Sequence, residues 1–286
     1  MKSIFFSFLL LSMMQSQMGA SPVRFRDDWN GENDTSLFFV SFDSTRIHYE
    51  IRGKGSPVLL IHGFIADGES WKKVPLYDDL LKAGFQVITL DLRGNGQSGR
   101  PHRPEDYAHD AQAKDIMALM DLLRIHHYDV VGYSRGSIIT ARLLVLDQRV
   151  TCGVMGGMGA DFTNPDWPRR ILFYRALMGE PVKELEEMVK HIQSSGLDQL
   201  ALAYQQKEQP STSKEELARL GQRVLIICGD QDSDNGSSSE LVKLIPKATH
   251  ANVPGDHGGA VRSPEFSQQV ISFLTANTPP FTGQAK

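Results

Sequence analysis

The chain has 286 residues, of which 41% are hydrophobic and 22% charged, a balance that excludes a disulfide mini-scaffold and a largely disordered chain. Its 30 Lys+Arg against 34 Asp+Glu leave a net charge of -4, which argues against a basic nucleic-acid footprint. Cys152 and Cys228 allow at most one internal disulfide and are too few for a structural zinc site.

At the N-terminus Lys2 supplies a positive charge, Ile4 to Met14 is apolar apart from two serines, and Gly19, Ala20 and Ser21 are small. This is the layout of a cleavable signal peptide over residues 1–20, and its greasy segment is too short to span a bilayer. The expectation is a secreted or periplasmic protein without stable membrane insertion. Met18 suits the -3 position poorly, so the cleavage point stays open. Residues 21–36 are polar and turn-rich, a flexible lead-in to the main domain at 37–286.

From Leu37 the chain alternates. Leu37–Phe42 and Arg46–Ile51 read as strands around a turn at Asp43-Ser44. Pro57–Ile61, Gln86–Leu90, Asp129–Gly132, Val150–Met155 and Arg223–Cys228 are short continuous apolar runs. Such runs suit a parallel sheet covered on both faces, where strands need not alternate. Helical patterns lie between them at Trp71–Ala83, Asp106–Leu123, Ser137–Leu146, Ser237–Leu244 and Pro264–Leu274. The order predicts an α/β fold, a doubly wound and mostly parallel sheet. One stretch, about 161–218, has no strand-like run but helical ones around Trp167–Met178, Val182–Ser194 and Leu197–Gln206. It reads as a short helical lid insertion, or more blandly as one crossover with extra helices.

Gly132-Tyr133-Ser134-Arg135-Gly136 follows an apolar strand and opens a helix. A tight strand-to-helix turn forces its middle residue into strained angles and needs small neighbours. It lifts the Ser134 hydroxyl clear of the sheet at a helix N-terminus, which favours developing negative charge. Earlier, Pro57–Ile61 runs into His62-Gly63-Phe64. The backbone N–H groups of Phe64 and Arg135 would then form an oxyanion hole, with His62 a structural turn residue rather than a base.

With these pieces the sequence resembles the α/β-hydrolase fold family from about Leu37 to Leu274. The HGF turn, the loop Asp91-Leu92-Arg93-Gly94-Asn95-Gly96-Gln97-Ser98, the GYSRG elbow and the order Ser, acid, His carry the resemblance. It implies that the acid sits in the turn Gly229-Asp230-Gln231-Asp232, at Asp232, with Asp161 and Asp230 as alternatives. It places the histidine at His257, in the glycine-rich loop GDHGGAV. Of the other histidines, His48, His126 and His127 read as strand-edge surface residues, and His250 as lying before the last short strand.

The family resemblance implies a serine hydrolase that needs no cofactor or metal. It would cleave a carboxylic ester or similar acyl bond of a small molecule through an acyl-enzyme: Ser134 attacks, His257 takes the proton and Asp232 orients the ring. A serine at the elbow argues against the dehalogenases and epoxide hydrolases of this fold, which use aspartate there, and the proline iminopeptidase signature is missing. Lactonase, thioesterase, carbon–carbon hydrolase and perhydrolase chemistry stay open, as does a non-catalytic ligand-binding protein. Oligomeric state is not encoded in any of these motifs.

Two further patterns are rejected. Gly94-Asn95-Gly96-Gln97-Ser98-Gly99 satisfies the dinucleotide spacing G-x-G-x-x-G, but Pro101 and Pro104 follow where a helix must start. Asp230, Asp232 and Asp234 have calcium-loop spacing, but Asn235 and Leu241 stand where glycine and glutamate are needed. Cys152 and Cys228 fall on neighbouring strands with an expected offset of about three positions, near 10 Å. That is too far for a disulfide, so two free buried thiols are expected.

Overall fold

A computed structural model of the chain describes residues 35–279. The expected signal at 1–20 and most of the lead-in lie outside the described residues. The lead-in ends earlier than expected, because Thr35 and Ser36 already belong to the first strand.

The strands are β1 (Thr35–Val40), β2 (Arg46–Arg52), β3 (Pro57–Ile61), β4 (Gln86–Leu90), β5 (Tyr128–Tyr133), β6 (Val150–Gly156), β7 (Arg223–Gly229) and β8 (Ala248–Val253). They form one 8-stranded sheet in the order β1-β2-β4-β3-β5-β6-β7-β8. β2 runs antiparallel to β1 and β4, and the remaining pairs are parallel. Around it lie α1 (Pro75–Lys82), α2 (Ala111–Leu122), α3 (Arg135–Leu146), α4 (Pro168–Leu177), α5 (Glu186–Ser194), α6 (Gln199–Lys207), α7 (Lys214–Leu217), α8 (Ser238–Leu244) and α9 (Pro264–Asn277). This is the expected doubly wound α/β architecture.

The apolar runs are continuous because both faces are covered. Leu59 and Ile61 of β3 pack in one buried cluster with Ile116, Ile138 and Met155, while Val58 and Leu60 pack in the other with Leu76, Leu80 and Phe266. Between β6 and β7 the chain carries α4 to α7 and no strand. These helices hold a small core of their own, Leu177, Ile192, Leu202 and Ala203, against which Phe64 packs.

Several boundaries differ for local reasons. β1 stops at Val40 rather than Phe42, because the Ser41 N–H closes onto the Thr45 carbonyl at 2.8 Å. The expected helix 71–83 splits into a 3-10 turn (Gly68–Lys73) and α1, since Val74 is extended before Pro75, as a residue before proline prefers. The expected helix 106–123 begins only at Ala111, after His109 and Asp110 with φ of 54° and 62°, angles no α-helix contains. His250 lies inside β8, opposite Ile226, not before it.

The cysteine offset is larger than expected. Cys152 is opposite Arg223, so Cys228 sits five positions further along, about 16 Å at roughly 3.3 Å per residue. Both thiols are free and buried.

Candidate active site

Ser134 sits between β5 and α3 with φ 54° and ψ -118°. Backbone held there costs about 1–3 kcal/mol, so the surroundings must enforce it. They do so through the glycines. A side chain on Gly132 would meet the Gly136 carbonyl oxygen at 2.2 Å, and one on Gly136 would meet the Ile61 oxygen at 2.1 Å. The Ser134 N–H donates to the Gly156 carbonyl of β6 at 2.8 Å.

Sheet register delivers the second strand end. Ile61 is opposite Gly132, so the turn after β3 runs alongside the elbow, and a Cβ built on Gly63 would be 3.7 Å from that of Ser134. Phe64 follows in this turn. Asn95 clamps it by donating to the Phe64 and Ala66 carbonyls at 2.8 and 2.9 Å, and Gln205 of α6 holds Asn95 at 2.6 Å. Arg135 is the first residue of α3, where a backbone N–H has no partner within the helix. The fold thus brings the turn that carries Phe64 beside Ser134, which Arg135 follows directly in the chain.

The Ser134 hydroxyl donates to His257 Nε2 at 3.0 Å, and His257 Nδ1–H donates to Asp232 Oδ2 at 2.8 Å. A carboxylate only accepts, so Asp232 fixes the proton on Nδ1 and leaves Nε2 as acceptor. Burial pushes the Asp232 carboxyl up, but the hydrogen bond from His257 and its electrostatic attraction outweigh it and hold the group below its ordinary value. The His257 side chain is 27% exposed, so a substrate can reach it. Tyr133 steadies its loop by donating to the His257 carbonyl at 2.7 Å.

The alternatives for the acid go elsewhere. Asp230 accepts the Gly255 N–H at 3.0 Å, and Asp161 is exposed against Gly236. Asp234 lies close, with one oxygen within 4.8 Å of a carboxylate oxygen of Asp232 and a ring nitrogen of His257, but its side chain pairs with Arg169 at 3.5 Å. His62 is a turn residue: its Nε2 accepts from the Leu92 N–H at 3.0 Å and its Nδ1 donates to the Gly63 carbonyl at 2.7 Å.

His48 is a correction. It is buried rather than a surface residue, with Nδ1 on Asp91 Oδ2 at 2.9 Å and Nε2 on the Ser36 hydroxyl at 2.9 Å. Asp91 also accepts the N–H groups of Gly68 and Gln97, both at 2.7 Å. A Cβ on Gly96 would strike its carboxylate at 2.2 Å. The glycine-rich loop with dinucleotide spacing therefore wraps the chain's own carboxylate. A cavity of about 300 Å³ opens beside it, lined among others by His48, Glu50, Asp67, Glu69 and Arg100; Ser134, His257 and Asp232 do not line it.

Asn95, Tyr133 and Gln205 escaped the sequence reading as positioning residues. Asn95 and Tyr133 lay inside quoted motifs, whereas nothing local to Gln205 marks its partner.

Comparison with known proteins matches residues 56–179 to the family described as alpha/beta hydrolase fold. A putative non-heme chloroperoxidase of Synechocystis is 44% identical over 98 residues, 34% of this chain and 34% of that protein. The chain thus spans about a third of this curated relative's length. Among solved structures, an esterase from Exiguobacterium antarcticum superposes with TM-score 0.71 at 19% identity, covering 84% of this chain and 100% of that one. A bromoperoxidase from Bacillus anthracis gives TM-score 0.67 at 24% identity, with 84% and 100% covered. Sheet order, elbow and these matches agree: the chain has the α/β-hydrolase fold, and its residues 56–179 match that family.

Proposed function

We propose that the protein is a serine hydrolase that cleaves a carboxylic ester or similar acyl bond of a small molecule. The observation that carries this reading is the hydrogen-bonded chain Ser134–His257–Asp232, hung from a strained elbow at a helix N-terminus. In the first step the Ser134 oxygen bonds to the substrate carbonyl carbon while its proton passes to His257 Nε2. The carbonyl oxygen becomes an oxyanion and accepts from the Phe64 and Arg135 N–H groups. Collapse breaks the bond to the leaving alcohol, which takes the proton from His257. Water then attacks the acyl-enzyme, His257 again accepting a proton, and Ser134 is restored with release of the acid. Asp232 holds the ring and stabilises its charged form.

Helices α4 to α7 act in this reading as a lid, supported by the packing of Phe64 against their core and by the Phe64–Phe173 ring contact at 6.0 Å. Export after removal of residues 1–20 belongs to the same proposal, and N-terminal sequencing of secreted protein tests it. The test of the chemistry is a panel of p-nitrophenyl esters of graded chain length. Turnover is expected in the native protein and its loss in Ser134→Ala; hydrolysis retained by that variant overturns the assignment.

A second reading is perhydrolysis, in which hydrogen peroxide replaces water at the acyl-enzyme and a peracid leaves with Ser134 restored. The 44% identity to a protein named as a chloroperoxidase favours it. Peracid formation from an ester and peroxide, absent in Ser134→Ala, would support it.

A further inference from the structure

Arg93 and Arg135 are both buried, but their surroundings differ. Arg93 bonds Asp115 through Nε at 2.7 Å and Nη2 at 2.6 Å, and Asp43 through Nη1 at 2.7 Å. Those two carboxylates outweigh burial and hold its proton more tightly than usual. Arg135 is 4% exposed and pairs with no carboxylate among the described residues. Its Nη2 donates to the Gln112 side-chain oxygen at 2.8 Å and to the Gln205 backbone carbonyl at 2.9 Å, both neutral. Its Nε and Nη1 have no acceptor.

The orphaned donors extend beyond one side chain. Gln112 Nε2 and Arg170 Nε are likewise buried without partner, against Gln205 Oε1 as a buried acceptor. Arg170, on α4, is tied to the end of α6 through the Gln206 and Lys207 carbonyls at 3.1 and 2.7 Å, next to the Gln205 that Arg135 reaches. Burial pushes the Arg135 guanidinium down to about 9; Tyr107 opposes the shift and the charge of Arg170 adds to it. An unpaired cation taken out of water is costly, and fixed donors around it call for an acceptor that carries negative charge.

We propose that Arg135, Gln112 and Arg170 form a buried site for a small monovalent anion, a carboxylate or a halide, between α2, α3 and the helices α4 and α6. The anion would tie the helix that starts at the elbow to the helical segment above it. Because the unfolded chain has no such site, bound anion stabilises the fold by mass action.

Thermal melts at constant ionic strength test this without any turnover, with sodium gluconate replaced stepwise by bromide or acetate. The expected result is a saturable rise, about 5–10 °C for a ligand near a hundred times its dissociation constant. It should be absent in Arg135→Met, and Gln112→Leu should raise the half-saturating concentration about tenfold, the size of one lost hydrogen bond. A bromide soak should place an anomalous peak within hydrogen-bond reach of Arg135 Nε or Nη1. A melting temperature blind to anion identity overturns the site, as does a full shift in Arg135→Met or an unchanged half-saturation in Gln112→Leu.

One further arm separates the sources of the anion, and it alone rests on the hydrolase reading. If the anion is the substrate's own carboxylate, a half-ester of a dicarboxylic acid will show a lower KM than its neutral diester, and bromide will erase the difference. Equal KM values with the melting shift intact identify a free ion.

Discussion

Among the described residues, two Ser–His–Asp chains have nearly equal hydrogen bonds. Ser134–His257–Asp232 spans 3.0 and 2.8 Å, and Ser36–His48–Asp91 spans 2.9 and 2.9 Å. The second even has the cavity beside it. Distances alone therefore do not identify a nucleophile. What separates the two is the environment of the serine. Ser134 has left-handed backbone at a helix start, with the Phe64 turn beside it. Ser36 lies within a strand opposite Glu50, and Glu50, Asp67, Glu69 and Asp91 line its cavity. Carboxylates there oppose the negative charge that acyl transfer must develop. Asp91 is also saturated by the Gly68 and Gln97 N–H groups, so it organises a loop rather than serving a base.

The largest expected effect breaks this comparison at the serines. Ser134→Ala should lower kcat by about 10³-fold or more, while Ser36→Ala should leave kcat within about twofold, both read on a p-nitrophenyl ester. Next come the acids. Asp232→Asn should lower kcat by about 10⁴-fold through the wrong histidine tautomer, with the melting temperature little changed. Asp91→Asn should do the reverse, removing about 3 kcal/mol of stability by leaving buried donors unmatched, measured by urea unfolding.

Acid provides a milder discrimination. Hydrogen bonds from His48, Gln97 and Gly68 outweigh burial and hold Asp91 below the ordinary carboxylate value. Its folded form binds the proton less readily than the unfolded chain does. The stability it contributes is thus present above about pH 4 and lost as pH falls through the folded value. Urea midpoints measured from pH 6 down to pH 3 should therefore fall more steeply for the native chain than for Asp91→Asn. The smallest expected change is at Asn95. Asn95→Ala frees the turn that carries Phe64 and should cost about tenfold in kcat with little change in KM, the pattern of a loosened transition-state donor.

Much of the scaffold was legible because strands buried on both faces leave continuous apolar runs. Pro57–Ile61 and Gln86–Leu90 were readable to the residue. The elbow was legible because its steric demand falls on Gly132 and Gly136 themselves, two residues from Ser134. The family resemblance, through the turn ending at Asp232 and the glycine-rich loop holding His257, named side chains that the fold brings into contact with Ser134. What stayed hidden depends on register or on partners far apart in sequence. His48 looks like a strand-edge residue until Asp91 is brought beneath it. Cys228 lies five positions beyond Cys152 only through the register of β6 on β7. The want of a counter-charge at Arg135 is a property of α2, α4 and α6 together. Helix breaks at His109 and Asp110 were missed because neither residue is glycine or proline.

The central claim is that environment, not hydrogen-bond length, selects Ser134 over Ser36. Labelling of folded protein with a fluorophosphonate, read by intact mass and peptide mapping, tests it most directly. The account predicts one adduct, on Ser134, abolished by His257→Ala and unaffected by Ser36→Ala. An adduct on Ser36, or folded protein that takes up no label, would contradict it.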